Sequence, residues 1–303
     1  MRFGCDERPS VMAGWTEARE YGTAAGRAPQ RYGSVDSGMN VEFAQLSELG
    51  RVRQGNEDYL GHARPLTSEQ ARSRGWLFVL ADGVGGQDQG EVASRTAVET
   101  VISGFQESTR GEPNAPLLPS LIRRANTRVL EVAHDSGPGG SNMATTIVAC
   151  ALRYDRVVVA HVGDSRCYLI RQGEARIITR DHTYAAEQVR MGILSAKEAA
   201  ESESRHILSR SLGAGLTANV EVNEHQVFVG DALVLCSDGL HGSVEASEIA
   251  AVVGRAENLD FAARRLVDIA NDRDGSDNIS LQIVRVRSVE RVGMYRGRPY
   301  RLP

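Results

Sequence analysis

The run WLFVLA at residues 76–81 is followed directly by Asp82 and Gly83. An apolar run that ends at a carboxylate is typical of a buried β-strand that carries the acidic side chain to the edge of a sheet. A glycine after the aspartate leaves the backbone carbonyl open to close approach, because glycine has no Cβ. The segment therefore predicts a buried strand with an oxygen-rich end.

Acidic residues recur at the ends of other predicted strands. They are Glu57 and Asp58 after the strand at 41–47, Asp164 after 157–162, Asp238 after 232–236 and Asp277 before 279–286. One such aspartate is typical of an ordinary turn. Because the like ends of strands in a sandwich meet at one rim, we expect the whole set to be crowded together there.

Crowded carboxylates need cations. At short range they raise one another's pKa and give up charge, whereas hard divalent cations such as Mn²⁺ or Mg²⁺ suit an all-oxygen ligand set. Arg53 can bind two phosphate oxygens with its guanidinium fork, and an ordinary surface arginine is the alternative. A phosphate-binding glycine loop at 82–86 is disfavoured because neither GK[ST] nor the GxGxxG spacing is present.

Hydrophobic periodicity divides the chain into strands and helices. Strands are predicted at 41–47, 76–81, 145–152, 157–162, 167–170, 175–178, 220–227, 232–236 and 279–286. Helices are predicted at 91–105, 117–134, 244–253 and 259–271. Residues 182–205 are expected to form a mobile excursion with two short helices, the second capped by Ser195. This order predicts an α+β fold in which each of two antiparallel sheets is covered by one helix pair.

The composition excludes several classes of function. A net charge of −4 and a pI near 6.0 provide no basic excess for nucleic acid, and no apolar run approaches the ~20 residues that span a bilayer. The 4 cysteines form no CxxC pair and are expected to be reduced. We therefore expect a soluble, cytoplasmic, monomeric protein that binds neither nucleic acid nor membrane.

Short motifs follow one another along the chain in a characteristic order. They are RQGNED at 53–58, ADGVGG at 81–86, GSNMATT at 140–146, VGDSR at 162–166, SDG at 237–239 and SDNIS at 276–280. Together they resemble the type-2C, or PPM, family of metal-dependent protein phosphatases, bacterial type, over residues 41–286. The resemblance implies a central antiparallel β-sandwich flanked by pairs of helices, in four layers. It also implies hydrolysis of phosphoserine and phosphothreonine by metal-activated water, without a covalent intermediate.

The resemblance also implies roles for the acidic residues, with two divalent cations and a third, weaker site. Asp82 is implied as the ligand that bridges two metals, with Asp238 and Asp277 on the first metal and with Glu57 and the Gly83 carbonyl near the second. Asp58 is implied to hold metal-bound waters, and Asp164 is implied to form the third site with Asp238. Arg53 is implied to bind the phosphate. One departure is Val84, since many eukaryotic members carry there a histidine proposed as general acid. The proton donor is therefore left open, and a metal-bound water is one candidate.

The predicted organisation is a disordered extension over 1–39, a catalytic domain over 40–287 with a flap at about 181–213, and a loose basic tail over 288–303. Both Met1 and Met39 are candidate start sites. The expected partners are phosphorylated proteins, among them a cognate serine/threonine kinase. Two alternatives stay open, a non-catalytic scaffold that binds phosphoproteins and a metallohydrolase that acts on small phosphoesters.

Overall fold

The computed structural model describes residues 38–84, 89–137, 143–295 and 298–301. The strands are β1 (Asn40–Glu48), β2 (Asp58–Ala63), β3 (Trp76–Val84), β4 (Ala144–Thr145), β5 (Ile147–Arg153), β6 (Arg156–Val162), β7 (Arg166–Arg171), β8 (Glu174–Ile177), β9 (Glu221–Gln226), β10 (Ala232–Cys236), β11 (Ile279–Ser288), β12 (Val292–Tyr295) and β13 (Arg298–Arg301). The helices are α1 (Ser68–Ser73), α2 (Gln89–Glu107), α3 (Asn114–Asp135), α4 (Tyr184–Arg190), α5 (Ala196–Glu201), α6 (Asp238–His241), α7 (Ala246–Arg255) and α8 (Leu259–Arg273).

Two antiparallel sheets form the centre of the fold. One has the strand order β1-β11-β10-β7-β8, and the other has the order β2-β3-β5-β6-β9, with β4 also paired to β3. The turn between β7 and β8 is tight, because Gln172 and Gly173 both have positive φ. The apolar strands β5 and β6 are buried almost throughout, which matches a position between two other layers.

Three apolar layers hold the sheets and helices together. Phe78, Leu152 and Leu233 belong to the layer between the two sheets. The helices α2 and α3 pack on the outer face of the β3 sheet, and α7 and α8 pack on the outer face of the β10 sheet. The predicted α+β sandwich, with one helix pair on each sheet, is confirmed.

Most predicted elements occur within a few residues of their expected bounds. Ser195 caps α5 with a capping box that it shares with Glu198, as the excursion at 182–205 predicts. Among the named elements of the predicted catalytic domain at 40–287, β2, α1 and α6 were not predicted. Strand β2 has Gly61 at its middle and half-buried side chains on both faces, so it lacks the alternation that marks a strand. Helices α1 and α6 have only 6 and 4 residues, too few to show a helical period.

The predictions for the two ends of the chain have different outcomes. The extension predicted at 1–39 lies outside the described residues except for Gly38 and Met39. The tail at 288–303, expected to be loose, contains an antiparallel hairpin of β12 and β13. In the part of the chain that the structure describes, no helix has the length and apolar character needed to cross a bilayer.

The layer between the sheets supplies a test of the fold. Phe78 is fully buried, with its ring centroid 5.1 Å from that of Phe43. We expect Phe78→Ala to lower the free energy of unfolding by about 3–5 kcal/mol, because it removes buried apolar contacts and leaves a cavity. Urea denaturation measures the change. Phe261→Ala is the matched control, since Phe261 is 78% exposed, and an equal loss in both variants would contradict the assigned core.

Candidate active site

The site is built first on two neighbouring strands of one sheet. Asp58 opens β2 and lies opposite Asp82 of β3 in the antiparallel register. Strand β3 was predicted over residues 76–81, but it continues through Asp82 to Val84. Asp58 is 6% exposed, and Asp82 keeps partial contact with solvent. The pairing places two carboxylates side by side at one end of this sheet.

The second sheet and a neighbouring strand bring further carboxylates to the same place. Asp238 is the first residue of α6 and stands two residues after β10, and Asp277 stands two residues before β11. Asp164 follows β6 and is 7% exposed. The Asp82 and Asp238 carboxyl groups are close enough for each to shift the pKa of the other. The predicted convergence of acidic strand ends at one rim is therefore what the structure has.

The electrostatics of this cluster follow from burial and from like charge. The pKa of Asp58 is raised to about 8, first by burial and also by the charges of Asp238 and Asp277, against hydrogen bonds from serine residues that lower it. Burial, then Asp238, raises the pKa of Asp164 to about 7. The pKa of Asp82 is raised well above its usual range, first by burial and then by Asp58 and Asp238. Without compensating positive charge, burial and like charge disfavour the ionised forms of these groups.

Two threonines fix the backbone of Asp82. The Asp82 carbonyl oxygen accepts hydrogen bonds from the Thr145 hydroxyl and the Thr146 amide, both at 2.8 Å. The Asp82 amide donates to Thr146 Oγ1 at 3.0 Å, and that oxygen lies 2.7 Å from Ser165 Oγ. These hydrogen bonds join β3 to the residues that directly precede β5 and β7. Asp82 therefore has little freedom to move away from its acidic neighbours.

A chain of hydroxyl groups holds Asp58. Ser237 Oγ donates to Asp58 Oδ2 at 2.8 Å and accepts from the Ser280 amide at 3.0 Å. Ser280 Oγ lies 2.8 Å from Ser47 Oγ, which also accepts from the Asn56 side chain at 2.8 Å. Ser237 and Ser280 are fully buried. The network connects the two sheets and orients the Asp58 carboxyl group.

Close backbone packing surrounds Gly83 and Glu57. The Gly83 amide donates to the Glu57 carbonyl at 3.1 Å. A Cβ at Gly83 would lie 2.2 Å from the Gly90 carbonyl oxygen, and a Cβ at Gly90 would lie 2.8 Å from the Glu57 carboxyl group. The Glu57 side chain therefore passes beside the start of α2. Only glycine fits at Gly83 because of this backbone packing, and the predicted approach of its carbonyl to a metal stays a prediction.

Arg53 lies at the open edge of the cluster. Its Nη2 donates to Asp277 Oδ2 at 2.7 Å, and its side chain is 46% exposed. The bond to Asp277 raises the pKa of Arg53, and the charges of Glu57 and Asp82 act in the same direction. The structure thus brings together all of the predicted site residues, with the arginine within reach of both cluster and solvent.

Sequence reasoning missed several residues that position the site. Asn278 is the clearest, because its Oδ1 accepts from the Glu57 amide at 2.8 Å while its Nδ2 donates to the carbonyls of Leu49 and Gly55. Thr146 and Ser237 were likewise not singled out. Ser237 and Asn278 each stand beside an aspartate within the quoted motifs, and that adjacency was the available signal for them. Thr146 ends the motif at 140–146, which contains no aspartate.

A second group of potential ligands includes His182, which belongs to the segment at about 181–213 predicted as a flap. His161, His182 and Glu221 each offer an atom within 4.8 Å of the others. The two imidazole rings are stacked 4.8 Å apart, and His182 Nδ1 already accepts from the Gly163 amide. Arg210 Nη1 lies 3.4 Å from His182 Nε2, so a cation here would face a guanidinium. The group suits a hydrogen-bond network at the base of the flap better than a metal site.

Comparison with known proteins agrees with this geometry. The family model of protein phosphatase 2C matches residues 54–273. The chain belongs to the protein phosphatase 2C family. The serine/threonine phosphatase Stp of Listeria innocua is 32% identical over 263 residues, which are 86% of this chain and 99% of that protein. The resemblance drawn from the sequence motifs is confirmed.

Solved structures of the family have the same fold. The serine/threonine phosphatase PstP/Ppp of Mycobacterium tuberculosis superposes with a TM-score of 0.72 at 28% identity, over 82% of this chain and 99% of that one. The catalytic domain of PstP in complex with two manganese ions gives a TM-score of 0.70 at 29% identity, over 82% and 100%.

The tight packing at Gly83 gives a prediction for the site. We expect Gly83→Ala to lower the free energy of unfolding by about 1–3 kcal/mol, because its Cβ would collide with the backbone of Gly90. Gly55→Ala is the control, since nothing lies within 4 Å of a Cβ there, and we expect a change within about 0.5 kcal/mol. Thermal unfolding of both variants measures the difference. Equal stability would show that Gly83 is not packed as described.

Proposed function

We propose that this chain is a metal-dependent phosphatase that hydrolyses phosphoserine and phosphothreonine in proteins. The observation that carries the proposal is the convergence of buried carboxylates from both sheets at one rim, with Arg53 at its open edge. Family membership supports the same activity. The alternatives of a scaffold or a small-phosphoester hydrolase have no observation that favours them over this one.

The donor set fits divalent cations. Burial and mutual repulsion raise the pKa of Asp58, Asp82 and Asp164, and bound dications would offset the charge that these groups otherwise neutralise with protons. Carboxylates and a backbone carbonyl are the oxygen ligands that Mn²⁺ and Mg²⁺ prefer. The proposed ligands are Glu57, Asp58, Asp82, the Gly83 carbonyl, Asp164, Asp238 and Asp277.

Within this set we propose two principal cations and a third, weaker one. Asp82 would bridge the two, Asp238 and Asp277 would serve one of them, and Glu57 with Gly83 would serve the other. Asp164, which lies close enough to Asp238 for its pKa to respond, would hold the third. When bound, such cations activate water as a nucleophile and offset charge on phosphoryl oxygens.

The protein's own residues orient the substrate and the acidic groups. Arg53 would bind two phosphoryl oxygens with its guanidinium, exchanging its contact with Asp277 for the phosphate. Asp58, held by Ser237 and facing the cluster, would orient water through its second carboxylate oxygen. Val84 stands where many eukaryotic members carry a histidine, so no imidazole acts as proton donor at that position. Displacement by water requires no covalent phosphoenzyme.

The physiological setting follows from the chemistry. We propose that the substrates are phosphorylated proteins, including a cognate serine/threonine kinase and its targets, and that the chain acts as a monomer in the cytoplasm. Neither nucleic acid nor membrane is proposed as a partner, because the net charge is −4.

Asp238→Asn tests the metal assignment. The amide keeps the shape of the side chain but removes a charged ligand, so we expect a folded protein with weaker Mn²⁺ binding by calorimetry and at least about 100-fold lower turnover of p-nitrophenyl phosphate. A phosphothreonine peptide should behave alike, and EDTA should abolish the wild-type activity. The control is Asp135→Asn, an exposed aspartate at the end of α3. Full activity of the Asp238 variant would refute the assignment.

Arg53→Ala tests the phosphate anchor. Loss of the guanidinium should mainly raise KM for a phosphothreonine peptide, by about tenfold or more, because charge-assisted hydrogen bonds to phosphate are lost. Arg110→Ala, which removes an exposed arginine paired with Glu69, should leave the kinetic constants unchanged. An unchanged KM in the Arg53 variant would point to another anchor.

A further inference from the structure

An open groove separates the ends of α7 and α8 on the outside of the fold. It has a volume of about 490 Å³ and lies between the last turn of α7, the connection at 256–258 and the first turns of α8. Val252, Ala256 and Phe261 give it an apolar floor and wall. We call it the α7–α8 groove.

Among the described residues, Phe261 has the most exposed aromatic side chain, with 78% of its surface accessible to solvent. It is the third residue of α8, where Leu259, Ala262 and Ala263 turn inward and are buried. The inward face of α8 is thus complete without it. A partner that covered this ring would gain apolar burial that the chain itself leaves unused, and aromatic residues of this kind dominate binding energy at interfaces.

Positive charge borders the groove. Arg255 and Arg265 both line it and are exposed, and among the described residues neither takes part in an ion pair. Two other arginines of α8 do form ion pairs, namely Arg264 with Glu48 and Arg273 with Glu248, each at 2.7 Å. Glu257 is the acidic residue of the lining against these two arginines, and Asp260 in the first turn of α8 offsets the partial positive charge of that helix end.

The groove lies far from the reaction site. Asp238 precedes α7 and Asp277 follows α8, so both helices have their near ends at the acidic rim and their far ends at the groove. Along α8 the helical rise places Leu259 about 21 Å, and the lining residue Arg265 about 12 Å, from Arg273. A ligand in the groove therefore leaves the acidic cluster open.

We propose that the α7–α8 groove is a docking site for a short segment of a partner protein, in which a large apolar side chain stands beside carboxylates. The apolar side chain would pack against Phe261 and Val252, and the carboxylates would pair with Arg255 and Arg265. Charge complementarity selects an acidic segment over a basic one. The binding step does not depend on the proposed phosphatase activity.

The test measures binding of fluorescein-labelled peptides to the full chain by anisotropy. The probe is Glu-Asp-Leu-Phe-Asp-Glu, compared with a peptide in which the acidic residues are lysines and one in which Leu and Phe are serines. We expect only the first to bind saturably. Phe261→Ala should weaken binding by about tenfold, and Arg265→Glu by roughly three- to tenfold with a loss of salt dependence.

Arg123→Glu on α3 is the matched control, because it makes the same charge change at an exposed arginine outside the groove. Turnover of p-nitrophenyl phosphate should be equal in all variants, which verifies folding. The proposal is overturned if the probe shows no saturable binding up to about 1 mM, if Arg123→Glu weakens binding as much as Arg265→Glu, or if the serine or lysine peptide binds equally well. A wild-type dimer that Phe261→Ala dissociates would also overturn it, since a second copy would then occupy the groove.

Discussion

Mutual repulsion among buried carboxylates is the constraint on which the rest of this structure depends. Asp58, Asp82, Asp164 and Asp238 meet where two sheets end, and burial there disfavours their charged forms. Holding these carboxylates together requires a rigid frame of paired strands and hydrogen bonds that does not move apart under the repulsion. The paired strands β2 and β3, together with the hydroxyl groups around Asp58 and Asp82, provide that frame.

The frame in turn rests on ordinary apolar packing. Three buried layers hold two sheets and two helix pairs together, and none of them includes a member of the acidic cluster. Stability and chemistry are therefore assigned to different parts of the molecule. Cations that bind only the folded chain would add to its stability by mass action, so the same ions would support both the fold and the reaction.

The helices α7 and α8 give the molecule two distinct ends. Their near ends adjoin the acidic loops, and the Arg273 side chain closes that end by pairing with Glu248. Their far ends leave Phe261, Arg255 and Arg265 uncovered. This separation allows recognition of a partner protein and hydrolysis of its phosphoryl group to occur on one chain without competing for the same surface.

The sequence by itself determined the fold class, the family and the meeting of acidic strand ends at one rim, because apolar runs ending in aspartate carry that information locally. The assigned ligand roles stay predictions. Tertiary structure alone decided the contacts of Ser237, Thr146 and Asn278, since hydrogen bonds between residues as many as 229 positions apart leave no local pattern. It also decided that Phe261 is exposed, because a phenylalanine within an amphipathic helix has the same sequence signature whether or not a neighbour covers it.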